Sequence, residues 1–287
     1  MEVMAEITAA AVKSLRERTG AGLMDCKRAL AETGADEEKA IDLLRQRGAA
    51  KAAKRSARTA SEGMVVIARD AGSDRVSMAM ALSETDFVAR NDEFVAFANE
   101  TAAAVGAADL PTGEVIEGSA LLENLGGLET ELEGLRSSMG ENIQVGGAVT
   151  YVATADAPVG SYVHFDNKIG VLVQIEGAEG IADAQEVADA LALHIAATNP
   201  LGISEDDIDP EVVERERHVL IEQAKEEGKP EHIAEKMVEG RMRKFFEQSA
   251  LVWQAFVKDP DVSIREVLER SDAGLKVQRF ARLEVGG

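Results

Sequence analysis

The period of the apolar positions changes several times along the chain, and each change marks a new unit. From Thr8 to Thr19 the residues Ala11, Val12 and Leu15 fall on one helical stripe, with Thr8 placed to cap the start and Gly20 to stop the end. A second short helix reads from Met24 to Glu32, ending before Gly34. A third opens near Asp36, carries Glu37 and Glu38 in its first turn, turns Ala40, Ile41 and Leu44 inward, and closes with Arg45 and Arg47 before Gly48. Its charges complement the helix dipole at both ends. Residues 1–48 are thus expected to form a three-helix bundle. Residues 49–61 are small and basic without a stripe wide enough to bury, and read as an exposed, partly helical linker.

Strand patterns follow. Met64-Val-Val-Ile-Ala-Arg69 is one strand, and Val76, Met78, Met80 and Leu82 alternate with small residues in a second. Val88 to Val105 then reads as a helix that turns Phe94, Ala98 and Ala102 inward. Moving the sequence on by 93 positions sets Val76, Met78, Met80 and Leu82 on Ile169, Val171, Val173 and Ile175, and Phe94, Ala98 and Ala102 on Val187, Leu191 and Ile195. Two related strand-helix subdomains are expected, the first over residues 62–145 and the second over 146–208 and 247–287. Residues 109–142 between them look helical and acidic.

After the second unit, Asp209-Pro210 opens a helix to about Glu227, Gly228-Lys229-Pro230 breaks it, and Glu231 starts another to about Phe246. Val212, Val213, Val219 and Leu220 on one arm can face Ile233, Met237 and Phe245 on the other, so residues 209–246 predict an antiparallel helical hairpin of coiled-coil type. Leu275 to Val285 alternates as a closing strand, which makes the hairpin an insertion into the second subdomain. The fold class is α+β.

Charge narrows the functional classes. The net charge is −21, yet residues 1–60 hold 12 Lys and Arg against 9 Asp and Glu, leaving 19 against 43 for the rest. Phosphate binding is driven by clustered Lys and Arg, so direct contact with nucleic acid is not expected. One cysteine, Cys26, rules out an intrachain disulfide and fits a reducing compartment. With neither a leader pattern nor a long apolar run, a soluble cytoplasmic protein without a membrane partner is expected.

No catalytic constellation emerges. The four histidines, His164, His194, His218 and His232, lie in different elements without metal-ligand spacing. Gly20-Ala-Gly22 lacks the third glycine and the preceding strand of a dinucleotide loop, and Gly228-Lys229 has Gln223 where a phosphate loop needs glycine. Cys26 has Lys27 and Arg28 beside it but no nearby base, so a buried structural thiol is the simpler reading. The expectation is a protein that is no enzyme and holds no cofactor or metal. One position stands out: Phe87, at a strand-to-helix turn, falls on Gly180 of the second unit. An aromatic there either anchors a partner or folds back over its own helix.

Two stretches then carry a resemblance. Leu15-Arg-Glu-Arg-Thr-Gly-Ala-Gly-Leu-Met-Asp-Cys-Lys27 and Thr85-Asp-Phe-Val-Ala-Arg90 resemble the two signatures of the bacterial elongation factor Ts family. The likeness continues through Gly140-Glu-Asn142, Ser161-Tyr162, Ile169-Gly-Val-Leu-Val173, Ile233 to Met242 and Phe256-Val-Lys-Asp259. It implies an N-terminal bundle like ubiquitin-associated domains, and guanine-nucleotide exchange on elongation factor Tu, in its GDP-bound or nucleotide-free form. It further implies that Thr85, Asp86, Phe87 and Val88 meet the partner, with Phe87 wedging into its GTPase domain. Arg16, Leu23, Met24 and Lys27 in the bundle would touch the same domain, and His164 the far domain. The hairpin is open to two roles, partner contact or self-association into a homodimer. The sequence departs from the family pattern at Leu23, where many relatives carry Met, and at Gln254-Ala255-Phe256, where Gln-Pro-Phe is common. An adaptor that binds through the bundle without affecting nucleotide release remains the alternative.

Overall fold

In the computed structural model, which describes residues 7–70, 72–228, 230–270 and 274–286, the chain begins with three helices. These are α1 (Ala9–Thr19), α2 (Leu23–Glu32) and α3 (Glu37–Ser56). Thr8 caps α1 by accepting the Ala11 amide, and Gly20 ends it. Val12, Leu15, Cys26, Ala29, Leu30, Ala40, Ile41 and Leu44 close a small core. The helix end differs from the one expected: α3 does not stop at Gly48 but runs to Ser56, into the linker expected to be partly helical. Glycine ends helices by taking a left-handed conformation, and Gly48 has no positive φ.

Two antiparallel strands follow, β1 (Glu62–Arg69) and β2 (Arg75–Ser83), and then a four-residue helix α4 (Asp86–Ala89) and the longer α5 (Asp92–Ala107). The single helix expected from Val88 is thus broken after Ala89, where the Asn91 side chain accepts the Glu93 amide and starts a new helix. Next come β3 (Ile116–Glu117), α6 (Gly118–Asn124), α7 (Leu128–Met139) and β4 (Gln144–Val152). The sheet order is β1-β2-β4-β3.

The second unit holds β5 (Val159–Val163), β6 (Ile169–Glu176) and α8 (Ala184–Thr198). The hairpin helices α9 (Pro210–Glu226) and α10 (Glu231–Ser249) come next, then β7 (Ala255–Phe256), β8 (Asp259–Ser263), α11 (Ile264–Glu269) and β9 (Lys276–Glu284). Strand β9 returns to β6, giving the order β5-β6-β9. Each unit therefore repeats an antiparallel strand pair followed by a helix.

The two sheets pack face to face. Val65, Val76, Met78, Val149 and Tyr151 of the first meet Val159, Leu172, Ala281 and Leu283 of the second. The outer faces are covered by helices: α5, α6 and α7 on the first sheet and α8 and α11 on the second. Edge strand β1 and central strand β6 are both covered on their two faces, which is why Met64, Val65 and Val66, or Val171, Leu172 and Val173, read as continuous apolar runs.

The hairpin seam is the expected one in part, with Val213, Leu220 and Phe245 in it. Leu220 and Ala224 of α9 meet Val238 and Met242 of α10, whereas Val219 and Ile233 remain 43% and 40% exposed. Residues four apart share a helix face, so a stripe through 220, 224 and 238, 242 leaves those two neighbours outside it. Among the described residues, no helix is long and apolar enough to cross a membrane.

Candidate partner-docking face

Phe87 sits on a short turn that is tied down on every side except its own. The Ser83 side chain is fully buried, and its hydroxyl donates to the Thr85 carbonyl at 3.0 Å. Thr85, extended at φ −129°, caps α4, its Oγ1 accepting the Val88 amide at 3.4 Å. Asp86 pairs with Arg90 at 3.3 Å. Val88 belongs to the core around Phe94. Between these fixed neighbours the Phe87 ring is 83% exposed, which decides between the two sequence readings: it does not fold back over its helix.

A second segment, the α7–β4 loop, supplies the clamp. One carboxylate, that of Glu141, accepts the backbone amides of Glu84 and Thr85, each at 3.1 Å, and the Thr85 hydroxyl at 2.6 Å. Glu84 reciprocates, accepting the Asn142 amide and the Arg58 guanidinium, the latter at 3.1 Å. The buried Asn142 side chain donates to the Arg58 carbonyl at 2.7 Å, and fully buried Ile143 roots the loop in the core.

A third segment is the β5–β6 turn. His164 is half-buried, its Nδ1 3.2 Å from the Tyr162 hydroxyl and its ring 4.4 Å from that of Phe165. Phe165 itself is 88% exposed. This turn lies beside the Phe87 turn. Asn167 accepts the Val65 amide at 2.7 Å, and Lys168 bridges to Glu62 at 2.7 Å. The Glu62 carboxylate, with smaller help from Asp166 and Asp86, pushes the Lys168 ammonium above its ordinary range.

In the bundle, Arg16, Leu23, Met24 and Lys27 all stand on the surface. Leu23 and Met24, at the start of α2, are 54% and 62% exposed. Adjacent exposed apolar residues at a helix start form a small apolar patch rather than scattered surface. A cleft of about 830 Å³ lies between this bundle and the core, lined by Ala21 and Gly22 on one side and by Arg58 and Gly140 on the other. The start of α2 and the clamp loop therefore border one space.

Of the nine residues expected at a partner, eight present at least part of a side chain to solvent. Val88 does not: it is buried, and it anchors the turn from below. Two contributors escaped sequence reasoning. Phe165 carried a signal, an aromatic among Asp166 and Asn167 in a polar turn. Glu141 carried none beyond its place in Gly140-Glu-Asn142. Cys26 is buried, its thiol 3.6 Å from the Ala21 carbonyl, as a structural residue would be. Among the described residues no group of three or more His, Cys, Asp or Glu side chains could hold a metal ion.

Exposed aromatics on braced turns and an exposed apolar helix start are features that a protein-docking surface presents. Comparison with known sequences supplies the family. The profile described as Elongation factor TS matches residues 84–287, beginning at the clamped turn. The chain is 45% identical over 284 residues to elongation factor Ts of Alkalilimnicola ehrlichii, covering 98% of this chain and 92% of that protein. With that of Paracoccus denitrificans it shares 47% over 287 residues, at the same coverage of both chains. The chain belongs to the elongation factor Ts family.

Proposed function

We propose that this protein is a guanine-nucleotide exchange factor for elongation factor Tu, and that it releases GDP by inserting Phe87 into the GTPase domain. The observation that carries the reading is the contrast between an 83% exposed Phe87 ring and a backbone held by buried or charged groups on both sides. An aromatic side chain on a fixed turn enters a partner's packed helices with little ordering cost of its own. Disturbing the elements that hold phosphate and magnesium removes contacts on which GDP depends. Leu23, Met24, Lys27 and Arg16 dock the bundle on the same domain, and His164 reaches the far one. Coupling is reciprocal: the ratio by which the factor weakens GDP is the ratio by which GDP weakens the factor, so incoming nucleotide expels it.

The test is the release rate of a fluorescent GDP from elongation factor Tu alone, with this protein, and with its Phe87→Ala variant. The expected result is a large acceleration that the variant mostly loses while staying folded. Binding without acceleration would support the adaptor reading instead.

A further inference from the structure

We infer that Glu141 is a positioning residue for the wedge: its carboxylate fixes the Glu84–Thr85 backbone and thereby the direction in which Phe87 projects. The inference rests on the exchange-factor reading and extends it to a residue that stands outside the exposed face. Glu141 is half-buried and gathers three donors from a segment 56 and 57 residues away in sequence, two of them backbone amides at the base of the turn. A carboxylate is suited to this because it accepts only and has lone pairs for all three. Hydrogen bonds to an ionised acceptor are also stronger than neutral ones.

The reciprocal bonds from Asn142 and Arg58 to Glu84 make the clamp two-sided, so neither segment can shift without breaking bonds on the other. Without it, the amides of Glu84 and Thr85 lose their acceptor and the turn gains freedom that would have to be frozen on docking. Phe87 would remain exposed but without a fixed direction.

The experiment uses the full chain in four forms: wild type, Glu141→Gln, Phe87→Ala and the double variant. Glutamine keeps the shape but removes the charge. Its one carbonyl oxygen can stay on the two amides only with the NH₂ group turned to the Thr85 hydroxyl, and the bonds that remain are neutral and weaker. GDP release from elongation factor Tu is followed at rising factor concentration, separating the maximal rate from the half-saturating concentration. Hydrogen exchange at the Glu84 and Thr85 amides is read in the free protein. Glu141→Gln is expected to speed exchange at those two amides and to lower the maximal release rate about tenfold, as misplacement of a working group does. The half-saturating concentration should move less, and the double variant should be no slower than Phe87→Ala alone.

Unaltered amide protection overturns the proposal, as does a full maximal rate, or losses that multiply in the double variant. If the wild type fails to accelerate release, the exchange reading falls, and the amide data still decide whether the clamp exists. Should Glu141→Gln unfold, Glu84→Gln loosens the same clamp from its other side, with the same expected outcome.

Discussion

At the scale of single residues, exposure separates side chains that hold the fold from those available for contact. Phe87 contributes almost nothing to its own core, so Phe87→Ala should leave folding stability within about 0.5 kcal/mol of the wild type. Burial of one such side chain at an interface is worth roughly 1.5–3 kcal/mol, or about one to two orders of magnitude in affinity. Equal urea midpoints with weakened binding to elongation factor Tu would bear this out. A large loss of stability would show that the ring has a structural role. His194 is the opposite case. It is fully buried, its Nε2–H donating to Gln254 Oε1 at 2.9 Å and its Nδ1 accepting the Val257 amide at 3.3 Å. Both partners suit a neutral ring, and a second proton would face the Val257 N–H. Burial pushes the His194 imidazole below its ordinary value, against a smaller opposing pull from Gln254. With the folded-state value lowered, the penalty is absent above about pH 6.5 and grows as pH falls through the folded-state value. Acidification also relieves the repulsion of a chain at −21. The His194 contribution is therefore best read as a difference. Wild type should lose stability relative to His194→Gln between pH 7 and 5 in urea titrations, and a pH-independent gap would refute it.

Elements were more legible than their ends. Periodicity located the bundle, both strand-helix units and the two hairpin arms, because burial of one face imposes a period on the sequence. It misplaced the end of α3, since glycine was read as a stop although its surroundings allow a helix to continue. That gives a prediction at this scale. Gly48 lies inside α3 with nothing within 4 Å of where a Cβ would stand, so Gly48→Ala should stabilise the bundle by about 0.5–1 kcal/mol, read as a raised midpoint. At the hairpin seam Val213, Leu220 and Phe245 were placed correctly, and Val219 and Ile233 were misplaced because they are as apolar as the residues that pack. Only the rotation of each helix decides which stripe is used. With Leu220, Ala224, Val238 and Met242 its only buried apolar residues among those described, the hairpin core is small. Met242→Ala should speed amide exchange along both arms while β2 and β6 stay protected. Uniform loss of protection would mean that the hairpin and the core unfold as one. The candidate docking face was half legible: Phe87 announced itself as an aromatic on a turn. Glu141 is one of 52 acidic residues and meets its partners only through the fold.

At the scale of the molecule, four layers depend on how closely the two sheets approach, and Gly170 marks a close crossing of β6 over the first sheet. A Cβ there would stand 2.4 Å from Val65 Cγ1 and 2.9 Å from Met78 Sδ, both buried side chains of the shared core. Neither neighbour has room to move, because Val65 is closed in by the opposing sheet and Met78 is fully buried. Even one methyl group must therefore push the sheets apart or force side chains off their rotamers, at a cost of about 1–3 kcal/mol. On the exchange-factor reading the separation bears on docking as well as stability, since the β5–β6 turn with His164 and Phe165 is tied to β1 through Asn167 and Lys168. Gly170→Ala should lower the thermal midpoint and also weaken binding to elongation factor Tu, although residue 170 is itself buried. The same chemical change thus stabilises at Gly48, where space is open, and destabilises at Gly170, where two sheets meet. A Gly170→Ala protein with an unchanged midpoint would mean that the sheets slide freely and that the spacing of the two aromatic turns is not set by their packing.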